Sequence, residues 1–176
     1  EGTSVEYDDA TEAFTARYTH ETIALAFAIT EEAVEDNLYD KISSRYTKAL
    51  ARSMMNAKQV KAANVLNRAF NSSYTGGDGL ELLSTAHVTT GGNVKNELTT
   101  AADLNETSLE QALIDIAGIT DDIKTDAPNG LKHFQRAAIS TKMEGDFETG
   151  NVKYKARERY SFGWSDWRGI FGSPGA

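Results

Sequence analysis

TEEAVEDNLYDKISSRYTKALARSMMNAKQVKAANVLNRAF, residues 30–70, decides the architecture. No Pro or Gly interrupts it, and it predicts one helix of about forty residues, about 60 Å long. The mean globular helix has only about 11–12 residues. Its opening turns hold Glu31, Glu32, Glu35, Asp36 and Asp40, and every later charge is basic: Lys41, Arg45, Lys48, Arg52, Lys58, Lys61 and Arg68. Anions therefore sit at the positive end of the helix dipole and cations follow toward the negative end. Thr30 is the expected N-cap, its hydroxyl taking an orphaned backbone N–H. The apolar positions Val34, Leu38, Ile42, Tyr46, Leu50 and Met54 step by four, so the stripe drifts around the helix. Val60, Ala63, Val65, Leu66, Ala69 and Phe70 continue on another side. A coiled coil would hold one seam. The drift favours a rod that lies across a sheet and meets different neighbours along its length.

The rest of the chain is consistent with such a rod. With 176 residues it suffices for one ordinary domain or two small lobes. There is no cysteine, which excludes disulfides, thiolate catalysis and zinc–sulfur sites. No apolar run approaches the roughly 20 residues that span a bilayer. The first residues are acidic and lack both a signal-peptide pattern and an initiator Met, as in a chain that was trimmed or is partial. The net charge of −8 is uneven: residues 31–70 sum to +2 and residues 131–176 to +3, while residues 1–30 and 71–130 are acidic. In bulk the chain is a poor nucleic-acid binder. Acidic and basic blocks in one subunit instead suit contact between copies.

Residues 1–13 are acidic and without periodicity, and read as an arm or loop. Ile23, Leu25, Phe27 and Ile29 then alternate with Ala24, Ala26 and Ala28, which predicts a strand buried on both faces. Polar residues Thr15, Arg17, Thr19 and Glu21 extend its first face into a projecting hairpin. After the helix, residues 71–79 form a loop, Leu80–Leu83 a short strand, and the chain loops again through Gly91, Gly92 and Asn93. Thr107-Ser108-Leu109-Glu110 is a capping box that opens a helix with Leu109, Ala112, Leu113 and Ile116 on one face, stopped at Gly118. Leu131–Lys142 and Phe147–Trp164 read as strands joined near Gly145. In the second, Val152, Tyr154, Ala156, Tyr160, Phe162 and Trp164 share one face, broken by Glu158; Lys153, Lys155, Arg157 and Arg159 share the other. The Gly-rich tail, residues 169–176, forms no element unless it pairs with a neighbour.

These patterns offer no chemistry. His20, His87 and His133 lie in three segments without metal-ligand spacing, and the loop Gly76-Gly77-Asp78-Gly79 lacks the Lys-Ser/Thr of a phosphate cradle. The adjacent pairs Asp121-Asp122 and Glu31-Glu32 point apart, whereas shared-proton catalysis needs convergence. No nucleophile-elbow pattern is present. The cations of Lys153–Arg159 alternate with Tyr154 and Tyr160, so they do not share a stacking platform for bases. The aromatic face is expected on the long helix and the cations against an acidic partner surface.

Several segments resemble a known family in wording as well as order. They are Thr30-Glu31-Glu32-Ala33-Val34-Glu35-Asp36-Asn37-Leu38-Tyr39, Ser84-Thr85-Ala86-His87 and Met143-Glu144-Gly145-Asp146-Phe147. A fourth is Tyr154-Lys155-Ala156-Arg157-Glu158-Arg159-Tyr160-Ser161-Phe162-Gly163-Trp164-Ser165-Asp166, followed by Arg168-Gly169-Ile170. Together they resemble the major capsid proteins of tailed bacteriophages, of the Hong Kong 97 type, in the group related to the Mu major head subunit.

The resemblance implies an α+β fold with a spine helix, an extended loop, and peripheral and axial domains. Residues 1–30 would be the arm lying on an adjacent subunit and 31–70 the spine helix of the peripheral domain. Residues 71–148 would be the axial-domain region, and 149–176 the peripheral return strand and tail. Family members carry more axial-domain chain than this, so a segment is expected to be missing near Asp121–Lys124. The implied function is structural, not enzymatic, and without cofactor. Copies would assemble into pentamers and hexamers of an icosahedral head, in the virion, around double-stranded DNA held without sequence-specific contact. Scaffold, portal and decoration proteins are the further partners, with no membrane. The inter-subunit contacts would use Glu6, Asp8, Asp9, Glu12 and Arg17 of the arm and Lys153, Lys155, Arg157 and Arg159 of the strand. An encapsulin-like compartment of the same fold is the alternative; a small hydrolase or binding domain has no site to support it.

Overall fold

A computed structural model gives the fold and describes residues 14–36, 39–89, 91–118 and 130–175, with Tyr39 and Asp40 described for the backbone alone. The class is α+β. The described elements are β1 (Glu21–Ile29), α1 (Glu31–Glu35), α2 (Tyr39–Asn67), β2 (His87–Thr89), β3 (Gly92–Val94), α3 (Glu106–Gly118), β4 (Leu131–Gly145) and β5 (Val152–Trp164). One sheet has the order β1-β5-β4, antiparallel throughout, and β2-β3 is a separate hairpin.

The expected forty-residue rod is instead a short helix followed by one of 29 residues, about 44 Å long. Thr30 is the N-cap: its hydroxyl accepts from the Ala33 N–H at 3.4 Å. The α1 helix ends at Asp36, whose N–H closes the turn onto Glu32 and Val34. Carboxylates at i,i+4 spacing (Glu31 and Glu35, Glu32 and Asp36) repel, and Asp and Asn are weak helix formers. That charge density places the break where the sequence pattern had none.

α2 lies on β1 and β5. Leu50, Met54 and Ala156 are buried together, with Ile23 and Phe27 against them. Phe27 stacks on Tyr154 (centroids 4.9 Å apart) and meets the edge of Tyr46. Glu158, the one acid on the aromatic face of β5, is buried and takes an ion pair from Lys58 of α2, while Lys61 pairs with Glu21. The β1 register, with Ile23 opposite Glu158 and Phe27 opposite Tyr154, sets its large residues toward the helix. The expectation that both faces are buried fails: Ala24, Ala26 and Ala28 stand exposed because no layer of the described residues covers that side. β4 also belongs to this sheet, so residues 131–145 join the helix-bearing lobe rather than the region of 71–148.

A second core gathers Ala69, Leu82, Leu83 and Trp167, with Val65, Val94, Trp164 and Ile170 around them. Leu80–Leu83 forms no strand. The Leu83 N–H bonds to the Ala69 carbonyl (2.9 Å), and the buried Asn96 amide takes over the pairing of a ladder. Its Nδ2 donates to the carbonyls of Leu82 (2.8 Å) and Trp167 (3.2 Å), and its Oδ1 accepts from the Ser84 N–H (2.8 Å). The stretch read as a loop near Gly91 is the hairpin β2-β3. The tail is not free: Gly172 bridges Glu97 in parallel, donates to Asn96 and accepts from Leu98. The α3 cap is Asn105, two residues earlier than predicted, because Asn105 and Ser108 exchange bonds of 2.8 and 2.9 Å between side chain and backbone.

Candidate assembly surfaces

The outer face of the sheet follows from its register. Lys153, Lys155, Arg157 and Arg159 are exposed there, paired with Ala28, Ala26, Ala24 and Thr22 of β1. On the other side they meet Glu144, Lys142, Ser140 and Ala137 of β4. Lys153 is engaged by Asp146 at 2.5 Å; Lys155, Arg157 and Arg159 make no ion pair among the described residues. The result is a basic strip bordered by methyl groups on the β1 side and by Glu144, Lys142 and Ser140 on the β4 side.

The β4-β5 turn is tightly built. Gly150 donates to the Asp146 carbonyl and Asp146 donates to that of Asn151, both at 2.8 Å. The Asp146 carboxylate accepts from Lys153 and from Thr149 (2.9 Å), and these bonds, that of Lys153 first, hold its pKa below the usual carboxylate value. Gly150 has φ +66° and lies against the Glu31 carboxylate, so a Cβ would sit on a strained backbone and push the exposed Glu31 side chain aside. At the tip Phe147 is fully exposed; it had been read as strand.

Of the residues expected in inter-subunit contact, Glu6, Asp8, Asp9 and Glu12 lie outside the described residues, as does Asp121–Lys124. Arg17 is exposed, but the segment around it does not project. Tyr18 bonds Ser165 (2.5 Å), its ring meets Phe134 at 4.6 Å, and His20 bonds Ser161 (3.1 Å). Residues 14–29 therefore lie on their own subunit, because aromatic and hydroxyl partners there satisfy them. The remainder of the expected arm, residues 1–13, lies outside the described residues.

α3 is the surface that the sequence pattern underestimated. It is tied down by Asp115, which pairs with Lys95 at 3.1 Å. No residue of α3 is buried, and Leu109, Leu113, Ile114 and Ile116, with Leu104 before them, are exposed. Periodicity foresaw an apolar face there, but nothing in it said that no described residue would bury that face.

The histidines serve packing. His87 is fully buried, its Nδ1 2.6 Å from Asp78 Oδ2, its ring stacked on Trp167 at 4.1 Å. Its Nε2 has no hydrogen-bond partner among the described residues. Among the described residues no group of three or more His, Cys, Asp or Glu could hold a metal ion, and no helix is long and apolar enough to cross a membrane. Burial foremost, then Glu158 and Glu21, raises the Tyr160 pKa, and burial followed by Glu81 raises that of Glu97. No protein-family model, curated protein or solved structure matches the chain.

Proposed function

We propose that this chain is a shell-building subunit of the tailed-phage capsid type. It assembles into pentamers and hexamers of a closed head around double-stranded DNA. The reading rests on the segment resemblance, and one structural observation supports it above the others: α3 leaves Leu109, Leu113, Ile114 and Ile116 exposed. More widely, twenty large hydrophobic side chains are exposed among the described residues against ten buried hydrophobic residues. Monomers rarely leave contiguous apolar surface bare, whereas a subunit in a closed assembly covers it with its neighbours. Each contact in such a shell is individually weak and gains strength from the number made at once. In this reading the basic strip on β5 takes the acidic segment before residue 14 of an adjacent copy.

Electron microscopy and sedimentation of the expressed chain test this. Closed shells retaining DNA support the head subunit, shells that hold protein instead support a compartment, and a monodisperse monomer at high concentration refutes both. Reversing Lys153, Lys155, Arg157 and Arg159 to Glu should abolish shells while helical content stays unchanged.

A further inference from the structure

The helix α2 carries a second basic surface, on the side away from the sheet. From residue 41 to its end α2 contains six cations and no acid. Two of them, Lys58 and Lys61, turn toward the sheet and pair with Glu158 and Glu21. The other four, Lys41, Arg45, Lys48 and Arg52, are exposed and make no ion pair among the described residues. At 100° per residue they fall within about 60° of arc, centred opposite the buried Leu50 and Met54. They rise about 16 Å along the axis. Ser44, Ala49 and Ala51 beside them are small, and the exposed Met55 stands at the C-terminal end of the row.

This arrangement works against the helix itself. Lys41 and Arg45 are spaced i,i+4, as are Lys48 and Arg52, and like charges at that spacing destabilise a helix. A solvated helix face ordinarily intersperses Glu among its Lys and Arg. No acid among the described residues pairs with this one-sign row, which leaves its charge open to a polyanion from outside the subunit. The ridge is convex, a helix about 10–12 Å across, and narrow enough to lie along a duplex backbone that presents one phosphate per roughly 3.4 Å of each strand. Over the length of the row that is about five phosphates for four cations.

We propose that Lys41, Arg45, Lys48 and Arg52 form a phosphate-backbone contact for double-stranded nucleic acid. Choosing a duplex over other polyanions rests on the shell reading above; the row itself does not. It would face the enclosed genome while the sheet strip on the opposite side faces a neighbouring subunit. The contact reads no sequence, because it engages phosphates alone.

Anisotropy of a labelled duplex of about 20 base pairs, titrated with the full chain at several salt concentrations, tests the assignment. Four neutralised phosphates give a slope of log K against log salt of about −3.6. Binding then weakens about 150-fold between 50 and 200 mM salt. Lys48→Gln with Arg52→Gln should halve the slope to about −1.8, and the quadruple Gln variant should flatten it. The quadruple variant should keep the wild-type circular dichroism and a thermal midpoint no lower than wild type, since it only relieves repulsion. Shells of this variant that hold no DNA support the proposal. Wild-type chain that binds the duplex with the stated slope yet makes no shells also supports it, and sinks only the shell reading. Absence of duplex binding at low salt overturns it, as does binding unchanged in the quadruple variant. Binding lost instead in Lys155→Gln/Arg157→Gln/Arg159→Gln, or capture of a residue 1–13 peptide in place of the duplex, overturns it too.

Discussion

Asn96→Ala should be among the most damaging single substitutions in the second core. Asn96 is fully buried, and its side chain satisfies one N–H and two carbonyls from two separate segments, Leu82 and Ser84 in one and Trp167 in the other. A net hydrogen bond is worth about 0.5–1.5 kcal/mol, but a buried group left without a partner costs about 1–3 kcal/mol. The stranded Ser84 N–H falls in the upper part of that range, and the Leu82 carbonyl costs nearer 1 kcal/mol because carbonyl oxygens tolerate poorer partners. The Trp167 carbonyl keeps the Ile170 N–H at 3.2 Å. The sum is about 3–4 kcal/mol, a large share of the roughly 5–15 kcal/mol that holds a domain folded. At about 2–4 °C per kcal/mol for a chain of this size, the melting midpoint should fall by about 10 °C. Urea unfolding of unassembled chain, followed by circular dichroism, reads this as a lower midpoint at unchanged slope. A loss under about 1 kcal/mol would show that Asn96 is not the pin between these segments, and the account of the second core would fail with it.

Four further expectations follow from the same geometry. Lys58→Ala strands the buried Glu158 and should cost about 2–3 kcal/mol, below the full range for a buried pair because Lys58 is 31% exposed; Lys58→Met with Glu158→Leu should recover wild-type stability in urea unfolding. Gly150→Ala forces a side chain into φ +66° against Glu31 and should cost about 1–2 kcal/mol, of which Glu31→Ala recovers only the steric part. The folded pKa of Asp146 is depressed, so its stabilising effect is present above the ordinary carboxylate pKa and is lost as pH falls through the folded value; an NMR titration should find its midpoint below ordinary Asp, and Lys153→Met should move it up. Tyr160 should ionise above the other tyrosines on spectrophotometric titration, with Glu158→Gln bringing it down, since burial and then Glu158 hold it up.

What the sequence disclosed depended on whether a pattern was local. The alternation in β5 marked both of its faces, because period two survives wherever a strand is regular. β4 has the same length in space but irregular pairing, with register shifts between Gln135 and Ala137 and again before Ser140, so its faces were not readable. The helix was legible from its composition, but its break at Asp36 arises from side-chain repulsion that apolar periodicity does not record. The second core was hidden for another reason: Asn96, Trp167 and Gly172 meet only in three dimensions, and an Asn between Lys95 and Glu97 looks like a loop residue. The sheet strip was visible as a run of alternating cations. The helix row was visible only as charge ordering along a dipole, since its arc opposite Leu50 and Met54 needs the sheet to define it.

The joining of Ala69 and Leu82 to Trp167 and Gly172 also sets the timing of biosynthesis. About a hundred residues separate the partners, and chains are elongated at about 5–20 residues per second, so the first half waits several seconds for its keystone. The lobe cannot close before residue 172 is available, and truncation before Trp167 should leave Leu82 and Leu83 open to chaperones. Closure of this lobe is coupled to synthesis through residue 172, which keeps shorter, unfinished chains out of any assembly.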